Sequence, residues 1–155
     1  MRVFVEFSLG SLSLALPVED VREVVDVEKV TRVPGGPGFM KGIVELRGEV
    51  LPVISLAEAL GVGADSGGGK VIVVHSDGLR AGLLVEGIKG ILRVGEGEIL
   101  PLREMVTSSA FSEVIRRGEG FVLVLRSDFL VREQEEKSEE EIMEELLAFL
   151  GYGPR

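Results

Sequence analysis

Residues 18–34 read VEDVREVVDVEKVTRVP, and residues 85–101 read VEGIKGILRVGEGEILP. Each stretch begins with Val-Glu and ends with Pro, and the two align without a gap at an offset of 67 residues. Apolar residues recur at matching positions, for example Val21 with Ile88. An offset of this length is typical of one small unit that has been duplicated, not of a solenoid built from many short repeats.

The similarity continues on both sides of these stretches. Upstream, the pairs at the same offset are Phe4 with Val71, Val5 with Ile72, Phe7 with Val74, Leu12 with Leu79 and Leu16 with Leu83. Downstream, Arg47-Gly48-Glu49 recurs as Arg117-Gly118-Glu119, and one inserted residue then aligns the apolar stretches 50–54 and 121–125. Chance similarity between alternating strands explains part of the pattern. The shared Val-Glu, Pro and Arg-Gly-Glu anchors favour an internal repeat.

Each half of the repeat predicts short β-strands. Apolar and polar residues alternate over 3–9 and 12–16, which is the period of a half-buried strand, and Gly10-Ser11 joins the two as a turn. Residues 39–54 predict two more strands around an Arg47-Gly48 turn. Two β units of this size predict a mainly β fold of either two barrels or a sandwich, arrangements that also remove exposed sheet edges.

Helical spacing is confined to three places. Val18, Val21, Val24 and Val25 predict a short helix over 18–25 that runs into a strand, and residues 56–60 predict one turn that ends at Gly61. The third place follows the barrels, which we expect to occupy residues 1–132.

Residues 133–155 predict a charged linker and an amphipathic C-terminal helix. Ser138 and Glu141 have the spacing of a capping box, and Gly151 can end the helix. The apolar stripe consists of Ile142, Leu146, Phe149 and Leu150. This helix either packs on its own barrels or docks a partner or a second subunit, and the pattern fits both.

Composition excludes several classes of function. The chain has 155 residues, which is about one domain, and a net charge of −9, which opposes binding to nucleic acid. With no cysteine and a single histidine, a transition-metal site would depend on carboxylates, so we expect no metal and no other cofactor. No secretory signal or long apolar run is present, which predicts a cytoplasmic protein without membrane insertion.

No catalytic constellation is found either. His75 lies beside Ser76 and Asp77, but sequence neighbours seldom have triad geometry. Gly67-Gly68-Gly69-Lys70 is followed by Val71, so it lacks the spacing of a phosphate-binding loop. We therefore expect a protein that is not an enzyme.

Longer motifs are present in both halves of the chain. The first half carries Leu16-Pro17-Val18, Val21-x-Glu23-Val24, Thr31-Arg32-Val33-Pro34 and Lys41-Gly42-Ile43-x-x-Leu46-Arg47-Gly48-x-Val50-Leu51-Pro52-Val53-Ile54. The second half carries Val71-Ile72-Val73-Val74, Gly82-Leu83-Leu84-Val85-Glu86-Gly87-Ile88 and Ile99-Leu100-Pro101. Together these motifs resemble a known family, the CheW chemotaxis coupling proteins, over about residues 3–132.

The resemblance implies an adaptor without catalysis. CheW-like proteins have two small SH3-like barrels, which is the fold that we expect here. They bridge the regulatory domain of a CheA-type histidine kinase to the cytoplasmic tips of chemoreceptors. The alternative is a divergent CheW-like β-barrel module that binds a small ligand, or a non-catalytic subunit of another signalling complex.

The resemblance also implies partner-binding residues. Glu23 and Arg47 match the most characteristic charged positions of the family, and an arginine in such a turn can hold a planar pair with a carboxylate. The others lie near the receptor site or, for the last two, on a kinase-facing strand: Val21, Lys41, Gly42, Gly48, Val71 and Val73. The alternative for Glu23 and Arg47 is an ordinary surface ion pair, which contributes about 0–1 kcal/mol to the stability of the fold. Val21 can equally face the core, and the glycines can serve only the backbone.

Overall fold

The computed structural model describes residues 1–34, 39–63, 69–76, 78–102 and 110–128, together with Met143 and Leu147. Its strands are β1 (Arg2–Leu9), β2 (Leu12–Pro17), β3 (Val21–Asp26), β4 (Thr31–Arg32), β5 (Met40–Leu46), β6 (Glu49–Ser55), β7 (Lys70–Ser76), β8 (Leu79–Val85), β9 (Gly87–Val94), β10 (Ile99–Pro101), β11 (Phe111–Arg117) and β12 (Gly120–Leu125). One short helix, α1 (Leu56–Leu60), follows β6, and single 3₁₀ turns occupy Val18–Asp20, Val27–Lys29 and Glu96–Glu98. The prediction of a mainly β fold is confirmed.

The strands form two six-stranded sheets whose orders are related by the repeat. Sheet I has the order β10-β11-β12-β2-β1-β9, and sheet II has the order β4-β5-β6-β8-β7-β3. Exchanging β1–β6 with β7–β12 converts one order into the other. The N-terminal hairpin of each repeat therefore completes the sheet of the other repeat, so that neither half of the chain supplies a whole sheet.

The strand registers confirm the internal repeat residue by residue. In sheet I the parallel strands β12 and β2 place Val124 opposite Ala15, and in sheet II β6 and β8 place Val53 opposite Gly82. A bulge recurs at the same point in both sheets, between Val21 and Glu23 in β3 and between Ile88 and Gly90 in β9. Such agreement does not follow from alternation alone, because alternation leaves strand partners free to slip by two residues.

The registers also correct two of the anchors used to detect the repeat. Leu46 pairs with Glu49 in one hairpin and Arg117 pairs with Gly120 in the other, so Arg47 corresponds to Gly118 and the Arg-Gly-Glu match is shifted by one residue. Pro101 likewise occupies the place of Arg32, not of Pro34. The offset grows from 67 to 71 because the second repeat has longer connections, where insertions are tolerated.

Within the described residues, three apolar clusters stabilise the two sheets. The largest lies between the sheets and packs the β1–β2 hairpin against β7, β8 and β6; its largest members are Phe7, Leu14, Leu16, Ile54, Leu56, Ile72, Leu83 and Leu125. Each sheet also buries a cluster of its own, with Phe4, Leu92, Ile115 and Val122 in sheet I and their repeat counterparts Val71, Val25, Val44 and Leu51 in sheet II. A sheet that packs its own strands against one another must curve. The finer expectation of SH3-like barrels stays a prediction.

The helix predicted over 18–25 is wrong beyond its first turn. Only Val18–Asp20 is helical, and Val21 begins strand β3. The run Val-Arg-Glu-Val-Val is rich in β-branched residues, and its pairing with β7 outweighs the helical spacing of its valines.

The predicted helical turn at 56–60 is confirmed as α1. The Ser55 hydroxyl accepts a hydrogen bond from the Glu58 N–H at 3.2 Å, and Gly61 ends the helix with a φ of 71°. Of the predicted C-terminal helix, Met143 and Leu147 are helical and exposed, and its other residues lie outside the described part of the chain. The boundary at residue 132 stays a prediction.

Gly42 gives a test of this packing. A Cβ at Gly42 would lie 2.2 Å from the Thr31 carbonyl oxygen, so Gly42→Ala must push β4 away from β5. We expect a loss of about 1–3 kcal/mol in the free energy of unfolding, measured by urea denaturation. Gly97→Ala, where a Cβ meets no atom within 4 Å, is the matched control. Equal stability of the two variants would contradict the close approach of β4.

Candidate functional site

The ion pair between Glu23 and Arg47 forms the centre of the candidate site. Arg47 Nη1 donates a hydrogen bond to Glu23 Oε1 at 2.9 Å, so the two charged residues that the family resemblance singles out are in contact. Glu23 lies on β3 and Arg47 opens the turn between β5 and β6, while β8 and β7 separate β6 from β3 in the sheet order. The pair therefore joins parts of sheet II that are not neighbouring strands, which the curvature of the sheet brings together.

Arg47 has an unusual backbone conformation. Its φ is +50° and that of Gly48 is +81°, and within the described residues Arg47 is the non-glycine residue with a positive φ. A two-residue hairpin turn of type I′ needs positive φ at both positions, which glycine adopts freely and arginine at a cost of about 1–2 kcal/mol. Strained residues of this kind are concentrated at functional sites. Arg47 therefore adopts a backbone conformation that is unfavourable for any residue other than glycine.

The exposure of the pair argues against a purely structural role. The Arg47 side chain is 75% exposed and the Glu23 side chain 28% exposed. Ion pairs this accessible contribute about 0–1 kcal/mol, which does not exceed the backbone strain at Arg47. Stability therefore does not account for an arginine in this turn.

The internal repeat shows that the pair is confined to one sheet. The residues of the second repeat that correspond to Glu23 and Arg47 are Gly90 and Gly118. Both are glycines, so sheet I has no side chains with which to build such a pair. Sheet I and sheet II therefore differ in their chemistry at these corresponding positions.

The other predicted residues of the site are placed in three ways. Gly48 is exposed and lies in the same turn as Arg47. Gly42 is buried against β4, where a side chain would clash with the Thr31 backbone, so close packing explains the glycine there. Val21 is half-buried against the cluster between the sheets. Lys41 donates a hydrogen bond to Glu58 of α1 at 2.8 Å. The geometry thus brings Glu23, Arg47 and Gly48 together and places the rest at other points of sheet II.

Val71 and Val73 do not form an accessible surface. Their side chains are 0% and 2% exposed and belong to the cluster of sheet II. Strand β7 is buried on both faces, because Ile72 and Val74 pack into the cluster between the sheets. Their prediction as kinase-facing side chains is therefore corrected: the unbroken apolar run of β7, without polar alternation, is the signal of a doubly buried strand.

Exposed valines were missed by the sequence reasoning. Val24 and Val50 are 42% and 58% exposed, although both stand in apolar stretches that the sequence assigns to strands. Alternation along each strand explains them, because their neighbours Val25 and Leu51 are the ones that point into the cluster of sheet II. The signal that could have found them is a second apolar residue next to one already assigned to the core.

At the other end of β3, Asp26 faces Lys70 across the β3–β7 pair. A hydrogen bond from Lys70, and then the charge of Lys70, hold the pKa of Asp26 below its usual value. This contact stabilises the fold above the unfolded pKa of an aspartate and is lost as the pH falls through the folded pKa.

Comparison with known proteins decides the family. A model of the CheW-like domain matches residues 3–135. The chain belongs to the CheW-like domain family. None of the helices in the described part of the chain is long and apolar enough to span a membrane.

Individual CheW relatives agree with this assignment. Chemotaxis protein CheW of Thermotoga maritima is 32% identical over 94 residues, which are 60% of this chain and 62% of that protein, so this chain spans less than two thirds of it. Probable chemotaxis protein CheW of Rhizobium etli is 34% identical over 119 residues, 76% of each chain. The crystal structure of the scaffolding protein TtCheW from Thermoanaerobacter tengcongensis has a TM-score of 0.76 at 30% identity and covers 83% of this chain and 91% of that chain. Together they support a chemotaxis adaptor or scaffold.

The strain at Arg47 predicts how its removal affects stability. Arg47→Gly loses the exposed ion pair but relieves the backbone, so we expect the free energy of unfolding to change by less than about 1 kcal/mol in urea denaturation. Gly48→Ala, which introduces strain in the same turn, is the control and should be less stable by about 1 kcal/mol. A loss well above that value for Arg47→Gly would show that the ion pair holds sheet II together.

Proposed function

We propose that this chain is a chemotaxis adaptor that couples the cytoplasmic tips of chemoreceptors to the regulatory domain of a CheA-type histidine kinase. The proposal rests on one observation: an exposed, conformationally strained Arg47, oriented by Glu23, in a chain of the CheW-like domain family. In this function the protein acts through surfaces and performs no catalytic step.

The geometry suits Arg47 to recognition of a partner. A guanidinium carries five N–H donors, and the 2.9 Å contact with Glu23 uses one of them. The turn and the ion pair limit the conformations of the side chain before the partner arrives, which lowers the entropy lost on binding. Carboxylates and backbone carbonyls of a receptor or kinase are suitable acceptors for the remaining donors.

The asymmetry of the two sheets supports a bridging role. Sheet II carries the Glu23–Arg47 pair, whereas sheet I has Gly90 and Gly118 at the corresponding positions. An adaptor needs two different surfaces to join two different partners, and a duplicated fold with a site on one half meets that need. A cytoplasmic location is part of this proposal.

Charge reversal at Arg47 tests the function. We expect Arg47→Glu to lower capture of the chain by an immobilised complex of the kinase regulatory domain and a receptor-tip fragment by at least about tenfold, because a desolvated charge contact becomes repulsive. Arg93→Glu, an exposed arginine on β9, is the control for the change in net charge. Capture of Arg47→Glu at the level of this control would refute the proposal.

A charge swap separates partner binding from the internal ion pair. The double variant Glu23→Arg/Arg47→Glu can re-form the pair with the charges exchanged, so its thermal midpoint should match the wild type. Capture should stay as weak as for Arg47→Glu, because the partner meets the wrong charge. Recovery of capture in the double variant would mean that the pair acts only within the fold.

A further inference from the structure

A second ion pair lies at the same end of sheet II as the Glu23–Arg47 pair. Arg80, near the start of β8, donates a hydrogen bond to Glu49, the first residue of β6. Their side chains are 33% and 47% exposed. Gly48 alone separates Glu49 from Arg47 in the chain, so the turn between β5 and β6 joins the two ion pairs.

The strand registers place further members of this end of sheet II on one face. His75 lies opposite Arg80, so their side chains are neighbours on the same face. His75 follows Val73 by two residues, and Glu49 precedes Leu51 by two. Because side chains alternate along a strand, both lie on the face that forms the apolar cluster of sheet II. The cluster therefore ends in a polar rim, which consists of Glu23, Arg47, Glu49, His75 and Arg80.

The internal repeat shows that this polar rim is confined to sheet II. The residues of sheet I at the corresponding positions are all glycine or serine: Gly90, Gly118, Gly120, Ser8 and Ser13. Core positions such as Phe4 and Val71 are apolar in both sheets. The same fold is therefore built without large polar side chains at this place, so folding does not account for the rim of sheet II.

We propose that Arg80 is a second partner-binding residue, that Glu49 positions it, and that the polar rim binds an acidic segment of a partner protein. This inference rests on the proposed function, because it extends the surface at Arg47 across β6 to the neighbouring strand β8. Arg47 and Arg80 then contact the same partner. Neither Arg80 nor Glu49 is among the residues that the family resemblance singles out.

The balance of hydrogen-bond donors and acceptors at the rim indicates an acidic partner. A guanidinium has five N–H groups, and within the described residues Arg47 and Arg80 each use one of them. Glu23 and Glu49 accept these two bonds, so the rim presents more unused donors than acceptors. Carboxylates suit such donors best, because one carboxylate can accept two N–H groups of a guanidinium. Each internal ion pair also limits the conformations of its arginine, which lowers the entropy lost on binding.

Charge reversal in the full chain tests the inference, with the receptor-tip fragment and the kinase regulatory domain immobilised separately. We expect Arg80→Glu to lower capture at least about fivefold, and by the same partner for which Arg47→Glu lowers it, because a guanidinium contact becomes repulsive. The double variant Glu49→Arg/Arg80→Glu can re-form the internal ion pair with the charges exchanged. Its thermal midpoint should therefore match the wild type, while its capture stays weak.

Two controls separate binding from structure. Lys70→Glu removes the exposed Asp26–Lys70 ion pair at the opposite end of β7 and changes the net charge by the same amount, so its capture should equal that of the wild type. Glu49→Gln keeps an acceptor for Arg80, whereas Glu49→Ala does not. If Glu49 positions Arg80, Glu49→Gln is captured more strongly than Glu49→Ala at equal thermal midpoints.

Changes in the partner test the acidic segment. Single aspartates and glutamates of the partner that depends on Arg80 are replaced by lysine. We expect at least one such change to raise capture of Arg80→Glu at least about fivefold, because the contact again joins opposite charges.

Three outcomes would overturn the inference. The first is capture of Arg80→Glu at the level of Lys70→Glu, and the second is dependence of one partner on Arg47 and of the other on Arg80. The third is a partner in which no reversed acidic residue restores capture. If Arg47→Glu alone is impaired, the proposed function stands and only its extension to Arg80 fails. If Arg47→Glu is not impaired, the proposed function itself is refuted.

Discussion

The burial of the β1–β2 hairpin against β7 and β8 is the constraint on which the structure depends. Phe7, Leu14 and Leu16 of the first repeat pack against Ile72 and Leu83 of the second in a shared, solvent-free cluster. Because each hairpin also completes the sheet of the other repeat, these contacts cannot be lost without opening both sheets. The two halves of the chain therefore form one cooperative unit, and a surface on one sheet is held in a fixed relation to a surface on the other.

Because the two sheets are held in a fixed relation, the exposed residues that differ between the repeats lie at fixed positions relative to one another. Most members of the clusters within the two sheets correspond, with Phe4 in the place of Val71 and Ile115 in that of Val44. The solvent-facing positions differ: Glu23 and Arg47 correspond to two glycines, and Glu45 corresponds to Arg116. A duplicated scaffold with a preserved interior and diverged surfaces is suited to holding unlike partners at a set spacing, which is the work of an adaptor.

Local patterns predicted much of this molecule, and non-local pairing accounts for what they missed. Alternation over 3–9 and 12–16 predicted the first hairpin, and Arg47-Gly48 was predicted as a turn. The importance of Glu23 and Arg47 was implied by the family resemblance, not by a local pattern. The exchange of the N-terminal hairpins between the two sheets was not predicted. A sequence repeat does not show whether a strand pairs within its own repeat or with a strand of the other repeat. Val71 and Val73 are a different case, because the unbroken apolar run of β7 is a local signal of burial on both faces that argues against a partner-facing role.

Amide chemical shifts of the isotope-labelled chain would show whether the turn at Arg47 is a partner-binding surface. Titration with a receptor-tip fragment and with the kinase regulatory domain would show which amides respond to each partner. We expect the Glu23, Arg47 and Gly48 signals to move with at least one partner and the buried Phe7 and Leu83 signals to stay in place. Binding that leaves all three signals of the turn and β3 unchanged would contradict it.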